Sequence, residues 1–189
     1  MEDRNCGHNK VKEASSSCYS SSPAKNIHRI QKTQMYYSFG PHKIDVEDVF
    51  YTTDLIFVFV NLRPVLPAHV LVCPKREVKR FADLTIEETI DLWVTAKRIS
   101  NLLENYHNAS SLTFTIQDGP QAGQSVPHVH VHIVPRKVGD FENNDDIYEA
   151  IDETEKELAE KTLDLDKKRK DRSVEERVHE ATQYRKLLL

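Results

Sequence analysis

The stretch PHVHVHIVPR, residues 127–136, constrains this chain more than any other part of its sequence. It alternates imidazole and aliphatic side chains, with His128, His130 and His132 set against Val129, Val131 and Ile133. Side chains of a β-strand point alternately to opposite faces. The pattern predicts a strand with one apolar face on a core and three imidazoles on the other face. Pro127 suits the first position of such a strand, where no ladder N–H is required. Three of the nine histidines fall within five residues, and a merely solvated face has no reason to collect them.

Shorter signals surround this strand. DVFYTT (48–53), LIFVFVN (55–61) and HVLVC (69–73) are short runs rich in Val, Phe and Tyr, separated by polar or proline-bounded turns. They read as antiparallel strands. SLTFTIQ (111–117) alternates and reads as a further strand, followed by the loop DGPQAGQS (118–125). Between them, Thr85 with Glu88 three residues on forms a capping box that opens a helix. Ile86, Ile90, Trp93 and Val94, then Leu102, Leu103 and Tyr106, recur at helical spacing, which carries that helix to about Asn105.

The two ends differ from this middle. Residues 1–34 include SSSCYSSS and lack apolar periodicity, so a disordered Ser-rich extension is expected. An organelle transit peptide is the competing reading, and Glu2 and Asp3 speak against it. The segment 147–161 looks helical, DKKRKDR (166–172) reads as a solvated linker, and Ser173 with Glu176 caps a terminal helix. These divisions give an extension over 1–34, a folded domain over 35–152 and a charged helical extension over 153–189.

Composition narrows the class. No apolar run approaches a membrane span. A net charge of -4 argues against a dedicated nucleic-acid binder. Cys6, Cys18 and Cys73 are odd in number and unpaired in spacing, which fits a reducing compartment better than a disulfide framework. A cytoplasmic or nuclear location is expected, with targeting by residues 1–34 the less favoured reading.

Two chemistries suit the histidine strand. Imidazoles two apart on a strand can ligate zinc or another transition metal. Alternatively one imidazole acts as a nucleophile, since its ordinary pKa of about 6.5 leaves it largely neutral at pH 7. The upstream loop favours the second. Gly119 and Gly123 permit close backbone approach, and Gln117, Gln124 and Ser125 offer neutral donors suited to phosphate oxygens. No cysteine or carboxylate lies in the strand to complete a metal shell.

HVHVHIV fits the His-φ-His-φ-His-φ-φ motif of the histidine triad (HIT) superfamily. The longer stretch SLTFTIQDGPQAGQSVPHVHVHIVPRKVGDF resembles its fragile histidine triad (Fhit) branch, as do MYYSFGPHKI, FVNLRPVLPAHVLVCPKREVKRFADL and NNDDIYEAI. The resemblance covers about Met35 to Asp152. It implies an α+β fold, with an antiparallel sheet of about five strands, a long helix, and a sheet extended across a homodimer. It also implies a bis(5'-adenosyl)-triphosphatase that cleaves P1,P3-bis(5'-adenosyl) triphosphate to AMP and ADP. In that reading His130 is the nucleophile and becomes adenylylated. His132 contacts phosphate near the leaving group, and His128 and His69 support the triad, with an ordinary strand histidine the competing reading for His69. Asn61, Gln117, Gly123, Gln124, Ser125 and Val126 match phosphate and ribose contacts, and His42 matches a contact near the adenosine. Phe39 is a candidate wall for the adenine, with core packing the competing reading. Tyr148 matches a family tyrosine. Pro127 stands where the family varies and could shift the junction between loop and strand.

The same intermediate would serve adenylyl sulfate, adenosine phosphoramidates, or transfer of the adenylyl group to ammonia. A nucleotide-binding signalling module with slow hydrolysis is the rival from another class. Magnesium or manganese would arrive with the substrate's phosphates, and no protein metal site is expected. The expected partners are an adenylyl substrate and a second copy of the chain, with no nucleic acid or membrane.

Overall fold

The computed structural model describes residues 35–160 and 171–189, all within one compact unit. The expected disorder of residues 1–34 lies outside the described residues, as does most of the run 166–172. The first elements form a hairpin, β1 (Tyr36–Phe39) and β2 (His42–Asp45), in which Phe39 pairs with His42 across Gly40 and Pro41. Five more strands follow: β3 (Val49–Thr52), β4 (Ile56–Val60), β5 (Val70–Pro74), β6 (Ser111–Thr115) and β7 (Val131–Arg136). They form one antiparallel sheet in the order β3-β4-β5-β7-β6. Helix α1 (Ile86–His107) joins β5 to β6, and α2 (Asp146–Glu160) and α3 (Val174–Leu187) follow β7. The expected α+β architecture with five sheet strands is present, and the β1–β2 hairpin adds a small second sheet.

Both faces of the sheet are buried, which explains why LIFVFV reads as a continuous apolar run rather than an alternating one. Ile56, Val58 and Val60 of β4 join Val70, Val72, Val131 and Ile133 beneath Leu92, Ala96, Ile99 and Leu103 of α1. Phe57 and Phe59 point the other way and pack with Leu71, Cys73, Phe39 and Val126. The histidines lie on this second face, since His132 pairs across the ladder with Leu71. The expected division of the triad strand into an imidazole side and an aliphatic core side therefore holds, with Val129, Val131 and Ile133 all in the α1-facing core.

Helix α1 begins where its capping box predicts. Thr85 Oγ1 accepts from the Glu88 N–H at 3.2 Å, and Glu88 returns a carboxylate oxygen to the Thr85 N–H at 2.9 Å. Its buried face takes up only part of the periodic set. Leu92, Thr95, Ala96, Ile99, Ser100 and Leu103 are buried, whereas Ile86, Ile90, Trp93 and Val94 are 75%, 58%, 42% and 61% exposed. Periodicity located the helix but not its buried stripe: of the periodic residues Leu103 is fully buried and Leu102 packs on the core, because this helix carries two apolar stripes and only one meets the sheet.

The C-terminal helix is integral to the core. Tyr184 is fully buried against Phe50 at a ring separation of 5.0 Å, and Ala181 lies beside it in the same cluster. The end of the basic run is also docked rather than solvated. Asp171 pairs with Arg63, Arg172 pairs with Glu180, and the Arg172 N–H donates to the Leu62 carbonyl at 3.2 Å. The boundary expected at 152/153 falls inside α2.

Candidate active site

The junction between loop and β7 places the triad. The ladder with β5 begins only at Val131, so His128 and His130 precede the strand rather than standing in it. Pro127 is exposed, and the His128 N–H turns back to the Val126 carbonyl at 2.7 Å. The chain is held there by side chains. His128 Nε2–H donates to the Pro74 carbonyl at 2.8 Å, and its Nδ1 accepts from the Gly40 N–H at 3.3 Å. Gly40 has φ +54°, and a Cβ there would stand 2.8 Å from Val126 Cγ1, so the hairpin can approach this closely only with glycine at its turn. Burial pushes the His128 pKa down, in keeping with a neutral ring bonded at both nitrogens.

The tautomers of the other rings follow from their partners. His130 Nδ1 lies 2.7 Å from the His128 carbonyl, which can only accept, so Nδ1 carries a proton and the neutral ring presents its lone pair on Nε2. His69 Nδ1 accepts from the Val65 N–H at 3.2 Å, so its proton is on Nε2, 2.9 Å from His132 Nδ1. His132 therefore accepts at Nδ1 and carries its own proton on Nε2. A nucleophilic lone pair on one ring and a donor N–H on the next result, with the ring centroids 4.8 Å apart. Burial, with the neighbouring His130 and His69, holds the His132 pKa well below the ordinary histidine value, so the donor is a neutral imidazole.

Phe39 is 1% exposed and meets His130 edge-on at 5.1 Å, so it packs the triad in position and offers no open face for a base. His42 is half-buried, 6.4 Å from the Phe39 ring. Asn61 is buried at the end of β4, with Nδ2 3.4 Å from the His69 ring and Oδ1 accepting from the Arg63 N–H at 3.0 Å. Gln124 is committed to its own loop, accepting from the Gly119 N–H at 3.1 Å and donating to the Lys79 carbonyl at 3.0 Å. Val126 is fully buried. Asp118, paired with Arg80 and accepting from the Phe81 N–H at 2.8 Å, anchors the start of that loop. Cys73 is buried beneath the site, and burial with the nearby Glu155 pushes its thiol pKa well up, which removes it as a rival nucleophile.

The sequence reading missed Glu155. This α2 residue is 2% exposed, with Oε1 3.5 Å from His130 Nε2 and 3.8 Å from His132 Nε2. Ser125 Oγ donates to its Oε2 at 2.5 Å. One turn earlier, Asp152 Oδ1 accepts from Gln117 Nε2 at 3.2 Å. Burial works to lower the His130 pKa, but the Glu155 carboxylate outweighs it and the net shift is upward. Burial likewise works to raise that of Glu155, and His130, His132 and Ser125 outweigh it, leaving the carboxyl below its ordinary range. His130, His132 and Glu155 bring three ligand atoms within 4.8 Å of one another. Two imidazoles and a carboxylate fit a zinc-type ion by donor chemistry. Such an ion would engage His130 Nε2, the atom whose lone pair the nucleophilic reading requires.

A family model, the HIT domain, matches residues 44–139. A bifunctional bis(5'-adenosyl)-triphosphatase/adenylylsulfatase FHIT from Arabidopsis thaliana is 64% identical over 159 residues, covering 84% of this chain and 88% of the relative. The chain belongs to the HIT family. Within it the similarity runs to the fragile histidine triad branch. A bis(5'-adenosyl)-triphosphatase from Dictyostelium discoideum is 51% identical over 79% of this chain and 91% of its own. Among solved structures, this HIT protein resembles the Caenorhabditis elegans NitFhit protein with a TM-score of 0.64 and 41% identity, over 80% of this chain and 30% of the other. It also resembles the Plasmodium falciparum diadenosine triphosphate hydrolase in complex with Cyclomarin A, with a TM-score of 0.56 and 35% identity over 70% of this chain and 90% of the other.

Proposed function

We propose that the protein hydrolyses P1,P3-bis(5'-adenosyl) triphosphate to AMP and ADP through an adenylylated His130. The observation that carries this reading is the tautomer pair, a lone pair on His130 Nε2 beside a proton on His132 Nε2. The names of the Arabidopsis and Dictyostelium relatives support the substrate class.

In the first step His130 Nε2 attacks the α-phosphorus. The N–P bond forms as the bond to the bridging oxygen breaks, and ADP leaves. The His132 Nε2–H hydrogen-bonds to phosphate oxygen beside the leaving group as charge develops there. Water then attacks the phosphorus, the N–P bond breaks, AMP leaves and the proton passes to solvent. Dividing one displacement into two lowers each barrier. His128 fixes the His130 loop and His69 fixes the His132 tautomer. Asn61, Gln117, Gly123 and Ser125 would line the ribose and phosphate path, with His42 toward the adenosine, while the fully buried Val126 packs in the cluster of Phe39 behind it. Magnesium or manganese would come bound to the substrate's phosphates.

Adenylyl sulfate is the second substrate, favoured by the name of the 64% identical Arabidopsis relative. Its sulfate would leave in place of ADP, and phosphoramidates or transfer to ammonia follow the same path. The test is to incubate the purified protein and His130→Ala with diadenosine triphosphate and magnesium, then with adenylyl sulfate, and separate the products. AMP and ADP from the parent alone are expected. A variant that matches the parent overturns the nucleophile assignment, and a slow parent that binds substrate tightly favours a signalling module.

A homodimer completes the reading. The exposed stripe Ile86, Ile90, Trp93 and Val94 of α1 is an apolar face without a partner among the described residues. At one margin of the sheet, Arg185 of α3 donates to the Val46, Glu47 and Val49 carbonyls beside β3. The other margin is β6, which carries the 40% exposed Phe114. A second copy joined at β6 would continue the sheet and cover such a face. No helix among the described residues is long and apolar enough to cross a membrane.

A further inference from the structure

The buried face of α2 runs Ile147, Ile151, Glu155, each four residues from the last, so it is one stripe. The two isoleucines seat the helix on Val134, Val65, Leu66 and Phe141. Where the stripe reaches the triad, the next residue is an acid instead of an aliphatic. A glutamate is almost never this deeply buried unless it is paired. Its partners here are Ser125 Oγ at 2.5 Å and the Nε2 atoms of His130 and His132 at 3.5 and 3.8 Å. Among the described residues neither Nε2 has a hydrogen-bond partner, since both distances to the carboxylate are long for one. Asp152, one turn away, takes the amide of Gln117. Gly123 is shaped around the same contact, because a Cβ there would lie 2.5 Å from both Asp152 Oδ1 and Gln117 Nε2.

These are the atoms that the proposed reaction gives to phosphate. We propose that α2 is an internal competitor of the substrate, with the Glu155 and Asp152 carboxylates standing in for phosphate oxygens at His130, His132, Ser125 and Gln117. The inference rests on the hydrolase reading of that site. Side chains three apart on a helix are neighbours, about 5–6 Å between Cβ atoms, so two acids at this spacing present a pair of anions to one groove. The nucleotide phosphates and the α2 carboxylates cannot occupy the same place beside His130, His132, Ser125 and Gln117, so binding requires the last turns of α2 to leave it. The isoleucine anchors at the start of the helix need not move.

Competition of this kind has a distinctive signature. A protein whose competent state is only a fraction f of the total binds every ligand of that state more weakly by the same factor 1/f. Weakening α2 docking therefore lowers KM equally for diadenosine triphosphate and adenylyl sulfate and leaves kcat unchanged. A residue that touched the bound substrate would instead alter kcat, or alter the two KM values unequally.

The experiment has two arms on the full-length protein. Steady-state kinetics of Glu155→Gln and Asp152→Asn with both substrates should give KM values lower by about tenfold, in equal proportion and at constant kcat. Asp152→Asn, at a half-buried position, guards against a folding defect at Glu155. Amide hydrogen exchange of the parent, with and without saturating AMP, should show faster exchange over residues 150–156 when AMP is bound. Bound AMP with unchanged or slower exchange there overturns the proposal, as does a rise in KM or a fall in kcat in both variants. A parent that turns over neither substrate, yet releases α2 on binding AMP, overturns the hydrolase reading while displacement of α2 stands.

Discussion

His69 Nε2 lies 2.9 Å from His132 Nδ1, and the Val65 N–H behind His69 fixes which of the two rings donates. A backbone amide thereby sets the proton position on a ring two steps away. Without His69, His132 is free to carry its proton on Nδ1 and turn a lone pair toward phosphate. His69→Ala is expected to lower kcat by roughly 10- to 100-fold, a part of what a well-placed donor contributes, with a small change in KM. His69→Gln, whose amide can donate to Nδ1, should recover part of the loss. Equal activity in the alanine variant would show that His132 needs no orienting partner.

The pairing of His130 with Glu155 predicts a pH effect. A raised histidine pKa gives a contribution to α2 docking that is present below the ordinary value of about 6.5 and lost as pH rises through the raised one. A lowered carboxyl pKa gives one that is present above about 4.3 and lost as pH falls through the lowered one. Docking is thus tightest between about pH 4.3 and 6.5. Besides Glu155, the groups facing His130 are His128 and His132, with Cys73 below and the apolar Phe39 ring at its side. In Glu155→Gln the titration of His130 in kcat/KM should move to lower pH, because burial then acts without the carboxylate. An unmoved profile would assign that limb to another group.

Tyr184 makes α3 part of the core. It is fully buried on Phe50, its hydroxyl donates to Glu180 at 2.6 Å, and His107 lies 2.8 Å away. Tyr184→Ala should destabilise the protein by about 3–5 kcal/mol, as other large aromatic truncations do. Tyr184→Phe should cost about 1 kcal/mol for the lost hydrogen bonds. Urea denaturation followed by the fluorescence of Trp93 measures both. A midpoint unchanged by the alanine substitution would make α3 an appendage.

The exposed stripe of α1 bears on assembly. Trp93→Glu and Ile90→Glu place charge on a face that the monomer does not bury, so folding should survive and association should not. Sedimentation velocity should show a dimer for the parent and a monomer for each variant. A monomeric parent would remove the dimer.

The sequence by itself determined the sheet strands, the start of α1 and the identity of the triad. These rest on local rules: short β-branched and aromatic runs for three strands and alternation for two, the Thr85–Glu88 reciprocal cap for the helix, and the crowding of His128, His130 and His132. Local rules could not choose between the two apolar stripes of α1, because Trp93 and Leu92 look equally fit for a core until a sheet lies against one of them. Nor could they start β7 at Val131, where pairing depends on what β5 offers across the ladder. The tertiary structure alone decided the tautomers of His128 and His132, since each is set by an atom far along the chain, the Gly40 amide for His128 and the His69 ring for His132. It also decided the place of Glu155, which its sequence neighbours present as one more acid on a charged helix. Burial and charge act through space, and the four-residue step from Ile147 through Ile151 acquires meaning only once those isoleucines have seated the helix beside the histidines.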